Sequence, residues 1–412
     1  MANQEHLALI KQGATIWNQW YKQNKKVVPD LAKANLSGLD LSKIDLHKAN
    51  LAGANISNTD LTNACLVDSN LEGANFLRSN LENANLKGAN LDYVIFSQAK
   101  LNDKTKISAS GRTVWEIVNN EAKDKNFNGV DLRNSNLFRA DLSKADLSHA
   151  ILENANLNSA NLNSAYLFKA NLTRANLQNA DLRNAYFSQA NLTSAYLSGA
   201  LCCGTYFKDA ELKFANLKKA RFSRKTMIDF KWHYVWEIVN RGAVKKNLSG
   251  ADLSNANLQG TNFAEANLAN ANLTNSILLN SNLDLANLTN TDLAGANVKG
   301  VDLNRANLKG AKLKSAIGRD VQFRDNKSVN TNVMLKERPT TLQAPTTSTA
   351  ELENVVVKNS DKSKKNKNVF GFLLLGAIAF CLAGYYIYSS QNGEFSVPEI
   401  LPKFEIWQQK TQ

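Results

Sequence analysis

The chain has 412 residues, a net charge of +13, only 5 Pro and 4 His, and a composition dominated by Ala, Asn and Leu. The basic balance suits acidic partners or anionic surfaces better than basic ones, although both signs are interspersed along most of the chain, as on a solvated mixed surface. Four cysteines, two of them adjacent at Cys202 and Cys203, give neither a disulfide framework nor a metal-ligand spacing.

Residues 1–30 open with "MANQEHLALIKQG", which lacks a basic segment followed by an apolar core and so does not read as a secretory signal. Leu7, Ile10, Ala14, Trp17 and Tyr21 recur at three- and four-residue steps, which predicts one amphipathic helix. A repetitive coil exposes core and strand edges at its first turn, so this helix is assigned as an amino-terminal cap.

From Leu31 onward the chain counts in fives. One array occupies 31–103, a second 127–222 and a third 248–323, with 49 apolar centres, of which 39 are Leu and 7 Phe; Ile56, Cys202 and Val298 complete the set. A small residue lies two before most centres and Asn or Asp one before. Period five fits neither regular element. On an α-helix each step of five turns the side chain by roughly 140°, and on a flat strand an odd period alternates faces. Burying each Leu is worth about 1.5–3 kcal/mol, so the centres must share a core. A turn in every pentad resolves the conflict: the chain winds as a coil, centres point to its axis, and the other polar positions face water.

The units "ANLSG" at 34–38, "ADLSK" at 141–145 and "ANLTR" at 170–174 resemble the pentapeptide repeat family. The resemblance implies a mainly β fold, a right-handed quadrilateral β-helix with four pentads per coil. It gives about 12 coils and, at ~4.8 Å per stacked strand, a rod of roughly 60 Å. Leucine-rich and hexapeptide repeats need other periods and do not fit.

With 20 residues per coil, Tyr166, Tyr186 and Tyr206 stand one above another, each just before a centre and so pointing outward. Such a column is either a self-stacking ladder that stiffens the rod or an exposed aromatic stripe for a partner. Nearby lie Lys208, Lys213, Lys218, Lys219, Arg221, Arg224 and Lys225. No recognition helix or single-strand channel accompanies them, so they read as a solvated face.

The arrays are separated by inserts at 104–126 and 223–247 that share "VWEIVN" at the same offset, which points to a duplicated unit of array plus insert. Each insert predicts a short helix, with Val114 and Val118, or Trp115 and Val118, against the coil and Gly242 as a stop. Trp115 and Trp236 are packing anchors in this reading.

Residues 324–368 lose the pattern and read as a flexible polar linker. Residues 369–388, "VFGFLLLGAIAFCLAGYYIY", carry no charge over a length matching a bilayer core, which predicts one transmembrane helix. Lys362, Lys364, Lys365 and Lys367 precede it, so the repeats are expected in the cytoplasm, with 389–412 as a short tail across a plasma or thylakoid membrane.

His6, His47, His149 and His233 are far apart and no nucleophile or phosphate-loop motif occurs, so no enzyme, cofactor or metal site is expected. The reading is a membrane-tethered, non-enzymatic scaffold that presents a rigid rod to an unidentified protein partner through Tyr166, Tyr186 and Tyr206. The resemblance raises one alternative, a DNA-mimicking gyrase-binding protein, but that branch is strongly acidic and this chain is basic. Nucleic-acid binding through the basic surface is the other alternative.

Overall fold

The computed structural model describes residues 2–120 and 122–318. Why five residues suffice for one side of a coil is visible in the backbone bonds of a single pentad, Asn156–Ala160. Asn156 N–H donates to Ser135 C=O in the coil before, at 2.8 Å, and Leu157 N–H to Asn176 C=O in the coil after, at 2.8 Å. Ser159 N–H also reaches the next coil, at Gln178 C=O, 2.8 Å away, while Ala160 N–H closes a turn onto Leu157 C=O at 3.0 Å. The remaining amide, Asn158 N–H, donates to the Asn156 side-chain Oδ1 at 3.2 Å. All five donors are thus satisfied, as a closely packed backbone requires.

This accounting explains the polar consensus. Asn or Asp before the centre is an Asx turn that takes up the one amide the coil cannot reach. Asn has a further use, because its Nδ2 donates up the column. Asn90 donates to Asn70 at 3.3 Å and Asn70 to Asn50 at 3.4 Å. Asp cannot donate, and Asp30 ends such a run by accepting from Asn50 at 3.0 Å.

The corner residue, two after the centre, is left-handed. Asn154, Ser159 and Ser164 have φ of 57°, 57° and 59°. With the bond closing from the following residue this is the type II turn pattern. β-branched side chains are disfavoured there, and none occurs among the left-handed residues described. Inside, most centres and the small residues two before them are buried through all three arrays, while the centres Leu91 and Phe222 are partly covered. Residues twenty apart pair in parallel, as in Asn156 with Asn176.

The cap is two helices, not the one the periodicity predicts. α1 spans Gln4–Ile10 and α2 Ala14–Gln23. Gly13 between them has φ 103°, which no helix accommodates. The apolar period crosses the break because Ile10, Trp17 and Tyr21 still face one core. α2 supplies what an absent preceding coil would: Asn18 Oδ1 accepts from Asp45 N–H at 2.8 Å, and Trp17 Nε1 donates to Asp45 C=O at 2.7 Å.

The inserts form α3, Ala109–Asn119, and α4, Phe230–Arg241. Ser108 caps α3 by accepting from Gly111 N–H, and Gly242, with φ 75°, terminates α4. The buried face of α3 is Gly111, Val114 and Ile117; Trp115 and Val118 only flank it. The expected burial of Val118 therefore shifts to Ile117. Gly111 lets α3 sit close to the coil: a Cβ there would lie 2.6 Å from Leu91 Cδ1 and displace that side chain.

The three arrays share one continuous hydrophobic core through these helices. Tyr93 N–H donates to Asn134 C=O and Phe214 N–H to Asn255 C=O, both at 2.7 Å. At each seam the chain thus advances 41 residues for one step along the axis, from Tyr93 to Asn134 and from Phe214 to Asn255. Array 3 is described to residue 318; the expected linker, span and tail lie outside the described residues. Among the described residues no helix is long and apolar enough to cross a membrane.

Candidate interaction surface

Asp146, Tyr166, Tyr186, Tyr206 and Met227 pair successively in one column on one face of the coil. The tyrosine rings stack, with centroids 6.1 Å apart for Tyr166–Tyr186 and 4.8 Å for Tyr186–Tyr206. Tyr166 and Tyr186 are 54% and 48% exposed; Tyr206 is half-buried. The sequence-based column is therefore a real ladder, and its rings occupy one another's faces. What it offers outward is ring edges and hydroxyls. A planar base or sugar has no open ring face between them to stack on.

The column has a second property that the sequence reading missed. Tyrosine cannot make the Asx bond, so the amides of Phe168, Ser188 and Lys208, each two residues later, have no hydrogen-bond partner among the described residues. Where Asn or Asp precedes the centre that amide is held, as Ser148 N–H is by Asp146 at 2.9 Å one coil earlier, and single departures at Ile95, Ile151, Tyr196 and Ile277 also leave it without a partner among the described residues. No other column of described residues gives up Asn or Asp for three coils running. Three unpaired backbone donors thus accompany three tyrosines in one column. The signal was legible in principle: it is the consensus residue missing three times at twenty-residue intervals.

Around the stripe lie supporting features. An open cleft of about 380 Å³ adjoins its first ring, lined by Asp124, Lys125, Lys144, Asp146, Ser148 and Tyr166 among others. Ser148 hydrogen bonds hold the Asp146 carboxyl below the usual carboxylate range. On the same face His149 meets Phe168 edge-on at 5.7 Å, and Lys169 lies 5.1 Å from the Phe168 centroid. The basic residues do not gather into one patch. Lys208, Lys213, Lys218 and Arg221 belong to four successive pentads and so to different sides of one coil, and Lys213 pairs with Glu211 at 3.7 Å. Trp115 and Trp236 donate their indole N–H groups to Ala99 and Ala220 carbonyls, as packing anchors would. Among the described residues no group of three or more His, Cys, Asp and Glu is placed to hold a metal ion.

The sequence matches the family of pentapeptide repeats over residues 30–66, 64–103, 126–154, 150–189, 185–224, 247–283 and 281–317, more than half of the chain. The chain belongs to the pentapeptide repeat family. Pentapeptide repeat proteins are typically non-enzymatic. Among solved structures the chain is similar to a pentapeptide repeat protein from Nostoc, at 40% identity over 21% of this chain and 73% of that one, with a TM-score of 0.21. It is also similar to HetL of Nostoc, a pentapeptide repeat protein involved in heterocyst differentiation regulation, at 25% identity over 73% of this chain and 95% of that one, with a TM-score of 0.17. A third, from the Arabidopsis thaliana thylakoid lumen, is 28% identical over 28% of this chain and 77% of that one, with a TM-score of 0.26. No curated protein matched the chain.

Proposed function

We propose that this pentapeptide repeat protein is a membrane-tethered, non-enzymatic scaffold whose solenoid holds a protein partner along Tyr166, Tyr186 and Tyr206. The observation that carries the reading is the triple departure from the Asn rule. Each tyrosine forgoes the local bond that Asn or Asp makes at this position, and leaves the amide two residues later without a partner among the described residues. Local rules broken without a structural gain mark functional positions. Stacking returns part of the loss, but a single Asn in each place would satisfy the coil better. Tyrosine is also enriched in protein interfaces, where one ring gives both apolar area and a polar tip. The tether rests on the uncharged run at 369–388, and the cytoplasmic side on the lysines before it.

The experiment is crosslinking with mass spectrometry in native membranes, comparing the intact chain with Tyr166, Tyr186 and Tyr206 all changed to Asn. The substitution restores the Asx bonds, so the coil keeps its fold. A stoichiometric protein partner that disappears in the Asn version supports the reading; a partner retained in full moves the interface off this column. A chain recovered in the soluble fraction would overturn the tether.

A further inference from the structure

The two inserts provide an internal comparison. Their scaffold contacts repeat at an offset of 121 residues: Trp115 and Trp236 bind carbonyls of Ala99 and Ala220, and Asn119 and Asn240 bind those of Phe96 and Leu217. What does not repeat is the outer rim. Where the first insert has Asp103, Lys106 and Ala109, the second has Arg224, Met227 and Phe230. Phe230 is 82% exposed at the first turn of α4 and Met227 is 52% exposed beside it in sequence. Phe230 stacks on Tyr234 at 6.0 Å, where the first insert has Thr113.

Arg221 and Lys225 have counterparts in Lys100 and Lys104, and the change of charge is Arg224 for Asp103 and Met227 for Lys106. Arg221, Arg224 and Lys225 are exposed and have no ion pair among the described residues. The carboxylate within this turn is Asp229, the half-buried residue before α4, and Lys231 is already engaged by Asp252 at 3.0 Å. An apolar knob fringed by free cations is the pattern of a surface that enters the headgroup layer of an anionic membrane. Phe230 stands out from the surface, so it has the form of an inserting group more than of a groove that receives one.

We infer that the rim of the second insert, Met227 and Phe230 with Arg221, Arg224 and Lys225, docks on an anionic lipid surface. The contact is separate from the proposed partner stripe. It adjoins the stripe only through the Tyr206–Met227 pairing, three coil steps from Tyr166. Each cation near the surface raises partitioning by about fivefold, while salt screens the effect.

The test is hydrogen–deuterium exchange on the full chain reconstituted in vesicles of phosphatidylcholine alone, or with roughly one-third phosphatidylglycerol. Amides of 224–234 are expected to exchange severalfold more slowly in the anionic vesicles, while the matching amides of 103–113 do not change. Arg224→Glu with Lys225→Glu should abolish the difference, and Phe230→Ser should reduce it. All three positions are exposed, so neither change threatens the fold. Equal exchange in both lipids, equal slowing at both inserts, or slowing that survives charge reversal would each overturn the inference. Slowing produced by added polyglutamate but not by anionic vesicles would overturn it too, and assign the rim to an acidic protein. Because the readout needs no partner, loss of the tyrosine stripe's partner leaves this result unchanged.

Discussion

Trp115 and Trp236 stand 121 positions apart, and each donates its indole N–H to a backbone carbonyl 2.8 Å away, that of Ala99 and of Ala220. The acceptors are edge carbonyls that a following coil would otherwise engage. Each helix therefore closes one array by lending a side chain where a strand is missing. Replacing either Trp by Phe leaves a carbonyl unpaired and should cost about 1–3 kcal/mol. The two losses should be similar, because the contact is the same. Denaturant titration of the single and double variants checks this, and additivity is expected for sites so far apart.

Asn70 sits inside a column and makes three bonds: it donates to Asn50, accepts from Asn90, and accepts from Glu72 N–H at 3.2 Å. Changing it to Asp removes only the donor function, and Asn70→Ala removes all three. The expected order of stability is wild type, then Asp, then Ala, with about 1 kcal/mol lost in the first step and more in the second. Thermal unfolding resolves the order. If wild type and Asp were equal, the donated column bond to Asn50 would carry nothing.

Gly204 occupies a corner with φ 74°, and a Cβ there would strike Asn184 Oδ1 in the coil before. Gly38 has the same φ, but a Cβ on it meets nothing within 4 Å. Ala at 204 should therefore cost more than Ala at 38. Strain of left-handed alanine, about 1 kcal/mol, is common to both, so the excess measures the collision alone. Unfolding midpoints of the two variants are the measurement.

Cys202 fills an apolar centre and is fully buried, and that burial pushes its thiol far above the usual range. Folded chain thus keeps the proton at high pH, while unfolded chain releases it near pH 8.5. Stability from this group is complete below that value and falls as pH rises above it, by up to about 1.4 kcal/mol per unit. Cys202→Ala should flatten the decline between pH 8.5 and 10 in denaturant titrations by about that slope. In the native state a thiol reagent should modify half-buried Cys203 and spare Cys202.

Much of this architecture could be read from residue order. The centres, the inward Ala, the duplicated inserts and the tyrosine column all follow from counting, because each pentad repeats the same solution to its own hydrogen bonds. The split of the cap at Gly13 was harder to see: the apolar spacing of Ile10 and Trp17 survives a break when both sides meet one core. Ile117 was missed for a related reason, since α3 lies across a coil end and not along a flat flank. The unpaired amides of Phe168, Ser188 and Lys208 needed the neighbouring coil, which shows where that amide goes when Asn or Asp is present. Nor could a count of fives say that three arrays share a core, because the 41-residue step at each seam depends on how a helix fits between coils.

Four pentads to the coil also give the molecule a rotary index. Adding one pentad to an array would keep every centre inward and every corner legal, yet swing all downstream faces a quarter-turn relative to those upstream. Adding four would lengthen the shaft and restore the alignment. A change of five residues and one of twenty, both silent to the core, thus differ in which surfaces look the same way. Tyr206 and Met227 share a column only while the count between them keeps its phase.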